Sequence, residues 1–364
     1  MPVRPEATRG STTPDPPPSL PRRPWADVHD RAASLPPAPR PTTQGGPPPA
    51  NEQQRRVIWA VLGVVGQIIL FIVWEIFFAS GDERDPLEPG PPRGSVVATI
   101  SVGKGAGAIA LGSGAVWVAN GDDGTVSRID PSSNKVVATI RVGRRPGGIA
   151  VDGSTAWVSN FEDATVSRID TTTNTVTATL QVGTVPSDVA LGEGAVWVGG
   201  LPLSRIDPRT NKVTRFQGVH VSSVATSPGA VWVARNEGAV VLRLDTSTGR
   251  TAASIPLEGI HSDLIVSHGS VWVTSPDGSA SRLDAANGVV TATVSVGVSS
   301  RVVRSDDRAI WLDGYPVSRI DRSTNVVSKP LGEDGAAGLA IDHGALWVTL
   351  GDEVRRIDPG RLEP

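Results

Sequence analysis

Residues 117–143 read WVANGDDGTVSRIDPSSNKVVATIRVG, and residues 157–183 read WVSNFEDATVSRIDTTTNTVTATLQVG. Each opens on a valine-rich run around a tryptophan, too short for a globular helix and suited to a buried strand. The tryptophan recurs as Trp117, Trp157, Trp197, Trp232, Trp272, Trp311 and Trp347, at spacings of 40, 40, 35, 40, 39 and 36 residues. That period is the length of a four-stranded propeller blade. Downstream of every Trp stands Arg, an aliphatic residue and Asp: Arg128–Asp130, Arg168–Asp170, Arg205–Asp207, Arg243–Asp245, Arg282–Asp284, Arg319–Asp321 and Arg356–Asp358. Turn-formers such as PSSN or TSTG follow each Asp, so the Asp is expected to accept turn N–H groups and end its strand. Arg and Asp, two residues apart, share one face of a strand and are expected to pair across blades. A feature present in every repeat reads as structural rather than catalytic.

Each repeat then comprises an inner strand (GAIAL, GGIAV, SDVAL), the Trp strand, the Arg-Asp strand and an outer strand, giving an all-β, seven-bladed propeller over residues 95–364. The two ends of this region are complementary. The last repeat stops after Asp358 without an outer strand, whereas residues 96–100, VVATI, form an outer-type strand with no blade before it. Residues 96–102 are therefore expected to complete the last blade and cover its open edge.

The repeats resemble the YVTN-type bacterial propellers, whose units carry an aromatic-Val-x-Asn strand, an Ile-Asp strand, then Val-x-Ala-Thr-Ile and Val-Gly. This chain has Trp where those have Tyr. The motif Asn stands only at Asn120 and Asn160; Gly200, Arg235, Ser275, Gly314 and Leu350 replace it in the other blades. A weaker similarity runs to the streptogramin lyases, also seven-bladed, with Trp-containing repeats and Arg-Ile-Asp strands. That likeness implies a metal-dependent lyase as an alternative, but no catalytic residue of that family can be placed on this sequence.

Propeller ligands meet the face where outer strands cross to the next inner strand. At the second position of the inner strand the seven blades carry Ala108, Gly148, Asp188, Ser223, Asp263, Arg301 and Gly338, so polar groups gather in one sector. His220 and His261 precede that position in two of these blades, and Arg235 ends a Trp strand nearby. Asp188, His220, Ser223, Arg235, His261, Asp263 and Arg301 are the candidate ligand-binding set. Carboxylate with imidazole could take a divalent metal, Arg301 an anion, and a His could act as general base. The plain alternative is that Asp188 and Asp263 cap loop N–H groups while the histidines are only exposed. No spacing here matches a metal or triad motif, so neither a cofactor nor a catalytic residue is assigned.

The chain before the repeats divides in three. Of its 31 prolines, 15 lie in residues 1–50, a composition that favours a disordered, proline-rich tail over residues 1–56. Its PPII-prone runs suit a spacer or a cytoplasmic docking partner. Residues 57–79, VIWAVLGVVGQIILFIVWEIFFA, are interrupted only by Gln67 and Glu75, long enough to cross a bilayer within a segment 57–80. Arg55 and Arg56 precede it and acidic residues follow, which predicts a single-pass protein with a cytoplasmic N-terminus and an extracytoplasmic propeller. The polar leader and apolar run are both longer than a cleaved signal usually carries. Residues 81–94 form an acidic, proline-rich stalk.

Composition removes other classes. Without cysteine there is no disulfide framework, thiolate metal site or thiol chemistry. From Ser95 onward 24 basic and 27 acidic residues leave no basic footprint for nucleic acid. The expected function is a membrane-anchored, non-catalytic module that binds an extracytoplasmic protein, glycan or small ligand. The alternatives are the lyase-like enzyme or the sensor domain of a signalling system.

Overall fold

The computed structural model describes residues 94–358, apart from 219, 236–238, 260, 261, 298, 315, 316, 332–335 and 343. The tail, the apolar segment 57–80 and most of the stalk lie outside the described residues. Among the described residues there is no helix, and hence none long and apolar enough to cross a membrane.

The described strands form seven four-stranded antiparallel sheets, each running from an inner to an outer strand. Inner strands of consecutive blades touch, and that of blade 7, Gly338–Asp342, touches that of blade 1, Ala106–Gly112, so the ring is closed. The closing sheet is composite. Its first three strands are Gly338–Asp342, Ala345–Leu350 and Glu353–Asp358, and its fourth is Ser95–Ser101 from the other end of the region. The register pairs Ser95 with Asp358 and Ser101 with Glu353, as the complementary ends of the sequence require.

The repeated Trp and Arg meet in every blade. Trp117 lies opposite Arg128, Trp157 opposite Arg168, Trp197 opposite Arg205, Trp232 opposite Arg243, Trp272 opposite Arg282, Trp311 opposite Arg319 and Trp347 opposite Arg356. In six of these pairs the guanidinium sits 5.2–6.0 Å from the ring centroid, within cation–π range. Each indole is buried against the sheet of the following blade. Trp117, for example, packs with Ile149 and Val158 of blade 2, and Trp347 packs with Ile109 and Val118 of blade 1.

The Arg side chains reach across blades, but to Asn rather than to the Asp two residues along. Nη1 of Arg128 donates to Asn174 Oδ1 at 2.9 Å, that of Arg168 to Asn211 at 3.1 Å, that of Arg282 to Asn325 at 3.3 Å and that of Arg356 to Asn134 at 3.1 Å. These four Asn sit in the turn of the next blade at φ of 53–59°, a left-handed position Asn tolerates. The Asp stays local, as an Asx-turn acceptor. Asp130 takes Ser132 N at 2.9 Å, and the hydroxyls of Ser132 and Ser133 hold its carboxyl down at about 2. Asp245 is likewise held at about 2, first by the Ser247 hydroxyl.

The motif Asn explains the Val-Gly that ends the repeat. Asn160 is buried, donates through Nδ2 to Thr165 and Ser167, both at 2.9 Å, and accepts Gly143 N at 3.1 Å. A Cβ on Gly143 would fall 2.6 Å from the Asn160 side chain, so the loop closes only with glycine there. Asn120 and Gly103 repeat the packing one blade earlier, with Nδ2 donating to Thr125 and Ser127 and a Cβ on Gly103 falling 2.7 Å from Asn120, but without the glycine N–H to Asn Oδ1 bond.

Ile100 of the closing strand is 5% exposed and belongs to the cluster joining blades 7 and 1. Ile100→Ala is expected to cost about 2–5 kcal/mol, which lowers the thermal midpoint by at least about 4 °C. An unchanged midpoint would show that this strand lies outside the cooperative unit.

Candidate functional site

The seven inner strands surround a central channel of about 580 Å³. Their register fixes which residues face it. The first core residue of each inner strand pairs with the residue after Trp: Ile109 with Val118, Ile149 with Val158, Val189 with Val198, Val224 with Val233, Leu264 with Val273, Val303 with Leu312 and Leu339 with Val348. One residue earlier stand Ala108, Gly148, Asp188, Ser223, Asp263, Val302 and Gly338. The sixth of these is Val302, not Arg301; the sequence reading was one residue out of register in blade 6.

The next channel position, opposite the Trp, holds alanine in blades 1, 2, 3, 4 and 7, Ile265 in blade 5 and Arg304 in blade 6. Arg304 was missed because it was not compared with its equivalents. The signal was available: this position lies seven residues before every Trp, and only blade 6 places a charge there.

Asp188, Ser223, Asp263 and Arg304 join in one chain across blades 3 to 6. Ser223 Oγ lies 3.0 Å from Asp188 Oδ2 and 2.6 Å from Asp263 Oδ1. Asp188 also accepts Val189 N at 2.8 Å and, from the next blade, Val224 N at 2.9 Å. Asp263 accepts Leu264 N at 2.9 Å and, from the next blade, Val303 N at 3.1 Å and Arg304 Nη1 at 2.9 Å. Leu264 N reaches back to Ser223 Oγ at 3.2 Å. Each side chain therefore satisfies an N–H of the following inner strand, the capping role named above as the plain alternative. Burial pushes the Asp188 carboxyl up from its ordinary value, and the Asp263 charge pushes it further; Val224 N–H and the Arg304 cation oppose this.

A second buried carboxylate supports the same rim. Asp313 accepts Ser300 Oγ at 2.8 Å and the N–H groups of Arg301 and Val302, each at 2.6 Å. Burial raises it too, against the Val302 N–H and the Ser300 hydroxyl. It thereby fixes the backbone of Arg301, whose exposed side chain lines the channel.

The other candidates are not gathered here. His220 is half-buried and does not line the channel. Arg235 ends the strand Ala230–Arg235 opposite Val240, in the loop-locking place of Asn120, also off the channel. His261 lies outside the described residues. Among the described residues no group of three or more His, Asp or Glu is placed to hold a metal ion. The acceptors of Asp188 and Asp263 already face N–H and O–H donors, which suits them poorly to a divalent cation.

Asp263 is the junction of the chain. Asp263→Ala leaves Val303 N–H and the Ser223 hydroxyl without their acceptor, takes one of two acceptors from Leu264 N–H and Arg304 Nη1, and is expected to cost about 2–3 kcal/mol. Arg304→Ala removes one donor of several and is expected to cost about 1 kcal/mol or less. Urea unfolding of both variants checks this order.

No protein-family model and no curated protein matches the sequence. Among solved structures the chain is similar to the computationally designed Ika8 protein, with a TM-score of 0.57 and 12% identity over 69% of this chain and 82% of that one. At that identity the likeness concerns the fold alone.

Proposed function

We propose that this chain is a single-pass membrane protein that displays its propeller outside the cytoplasm as a non-catalytic binding module, with its ligand at the channel mouth over blades 3 to 6. One observation carries the binding reading. Trp, Arg and Asp repeat around the whole ring, whereas among the described residues ionisable side chains face the channel only from blades 3, 5 and 6, at Asp188, Asp263, Arg301 and Arg304. Small residues line the opposite side: Ala108, Gly148 and Gly338. A purely structural ring has no need of that asymmetry. The non-catalytic reading is supported by the occupied acceptors of both channel aspartates, which leave no free carboxylate base. The membrane placement rests on residues 57–80 and the flanking Arg55 and Arg56. The YVTN-type repeat is the finer family reading, supported by the Asn120 and Asn160 locks and their paired glycines.

Topology is checked with a single introduced cysteine, which the cysteine-free chain makes specific. Thr172→Cys, in an exposed turn, is expected to react with a membrane-impermeant maleimide on intact cells. Protection until lysis would place the propeller inside. Binding is checked by the thermal midpoint of the full chain against cell-wall fragments, glycans and small metabolites. A ligand at 100 times its Kd adds about 2.7 kcal/mol, roughly 5 °C at this size. Arg301→Ala is expected to abolish the shift; no shift with any compound, or one indifferent to Arg301, would count against this site.

A further inference from the structure

Resting on that reading of the channel mouth, we propose that it is a site for a small carboxylate, bound by the guanidinium groups of Arg304 and Arg301 and admitted only while the Asp188–Ser223–Asp263 chain holds an extra proton.

The ligand class follows from which hydrogen-bonding groups are occupied. Asp263 has four donors on its two oxygens, and Asp188 accepts two backbone N–H groups and touches Ser223 Oγ, so neither has much left for a cation or a ligand hydroxyl. The donors are not used up in the same way. Arg304 directs Nη1 alone to protein acceptors, Asp263 Oδ2 and the carbonyl of Val303 at 2.6 Å. Its Nε and Nη2 edge has no acceptor among the described residues, although the side chain lines the channel and is one-third exposed. That edge is the fork that receives a carboxylate through two parallel N–H bonds. Arg301 adds a second, exposed guanidinium on the same wall, on a backbone held by Asp313.

The proton follows from counting hydrogens. A serine hydroxyl has one, yet Ser223 Oγ lies within hydrogen-bond distance of both Asp188 Oδ2 and Asp263 Oδ1. Its hydrogen goes to Asp263 across the shorter contact, and Leu264 N–H is already directed at its lone pairs. The contact to Asp188 is attractive only if Asp188 supplies the hydrogen. Asp263, beside Arg304 and two N–H groups, is the better carboxylate, so the proton belongs on Asp188. The charged groups facing Asp188 are Asp263 and Arg304 along the chain, with Arg301 and Asp313 on the blade 6 rim; on the blade 2 side Gly148 lies against it.

With Asp188 neutral, the guanidinium groups of Arg304 and Arg301 stand against the carboxylates of Asp263 and Asp313, so the mouth carries no net negative charge. As pH rises through the raised value of Asp188, its proton leaves to solvent and a negative charge appears beside the carboxylate site, weakening an anion there by about tenfold. The same sign holds for stability: the contribution of Asp188 is complete below the ordinary Asp range and is lost as pH rises through its raised value.

Equilibrium dialysis of labelled acetate against the full chain in nanodiscs, at pH 5 and pH 8, with acetamide as the neutral probe, tests both parts. Acetate is expected to bind saturably at pH 5 and about tenfold more weakly at pH 8, with acetamide binding at neither. Arg301→Gln, an exposed change, is expected to lose at least tenfold at pH 5. Asp188→Asn, which can carry neither the proton nor the charge, is expected to keep the pH 5 affinity at pH 8. Equal wild-type affinities at the two pH values, or a pH profile unchanged in Asp188→Asn, overturns the proton. Absence of acetate binding overturns the carboxylate assignment, while a ligand found by thermal shift and sensitive to Arg301 would leave the binding-module reading standing. If Asp188→Asn fails to fold, the wild-type pH ratio and Arg301→Gln decide the matter.

Discussion

Every joint in this ring is built on an indole buried under the next blade's sheet, covered in six of the seven blades by a guanidinium of its own blade. The indole supplies area. A Trp buries 150–250 Å², worth roughly 4–6 kcal/mol of apolar transfer. The guanidinium supplies direction, because its planar fork reaches past the Trp to a turn on the neighbouring blade. Register makes the two coincide, since Trp and Arg are cross-strand partners in all seven sheets. Blade spacing, ring closure and the width of the channel all depend on this contact.

The joint is not identical everywhere, and its exceptions lie beside the polar sector. In blades 4 and 5 the left-handed turn position held by Asn elsewhere is Gly249 and Gly288, at φ of 66° and 79°, so Arg205 and Arg243 find no amide at that position; Asn287, one residue earlier in blade 5, accepts Val289 N instead. Apolar contacts take the space. Phe216 stacks on Trp197 at 5.7 Å and lies where a Cβ on Gly249 would sit, and Ile255 lies against Gly288. The inner edges of these same blades carry the Asp188–Ser223–Asp263 chain. Blades 3 to 5 are thus joined by an apolar contact outside and a hydrogen-bonded chain inside, whereas blades 1 and 2 each send an Arg to the next blade's turn Asn outside and carry Ala108 and Gly148 at the channel. The sector that departs from the repeat most is the one with chemistry at its centre.

The fold was legible because its causes are local and repeated. Trp spacing gave the blade, the Arg-aliphatic-Asp triplet gave the third strand and its turn, and the unmatched VVATI predicted the closing strand. The convergence of Asp188, Ser223 and Asp263 was legible too, because three blades share one length between inner strand and Trp. What escaped was register where the repeat loosens. Residues 296–302 lack the Gly-turn spacing of the first blades, so the inner strand of blade 6 was begun at Arg301 rather than at Val302, and Arg304 went unnoticed. Counting backward from Trp311 removes the ambiguity: nine residues give Val302 and seven give Arg304. The choice of Asn over Asp as the partner of Arg was not legible, because both lie in the same turn and only the handedness of the Asn backbone places its amide toward the preceding blade.

The composite last sheet has a consequence in time. Among the propeller strands Ser95–Ser101 leaves the ribosome first, yet the strand it pairs with, Glu353–Asp358, follows all the others. At about 5–20 residues per second, the first strand waits on the order of 10–50 s for its partner. Throughout that interval both its backbone edge and Val96 and Val97, half-exposed even in the finished ring, are available to other chains. Blades 1 to 6 can fold as they emerge, each against the one before. The ring itself closes only once Glu353–Asp358 has emerged, and until then one unpaired strand of this protein stays open to other chains.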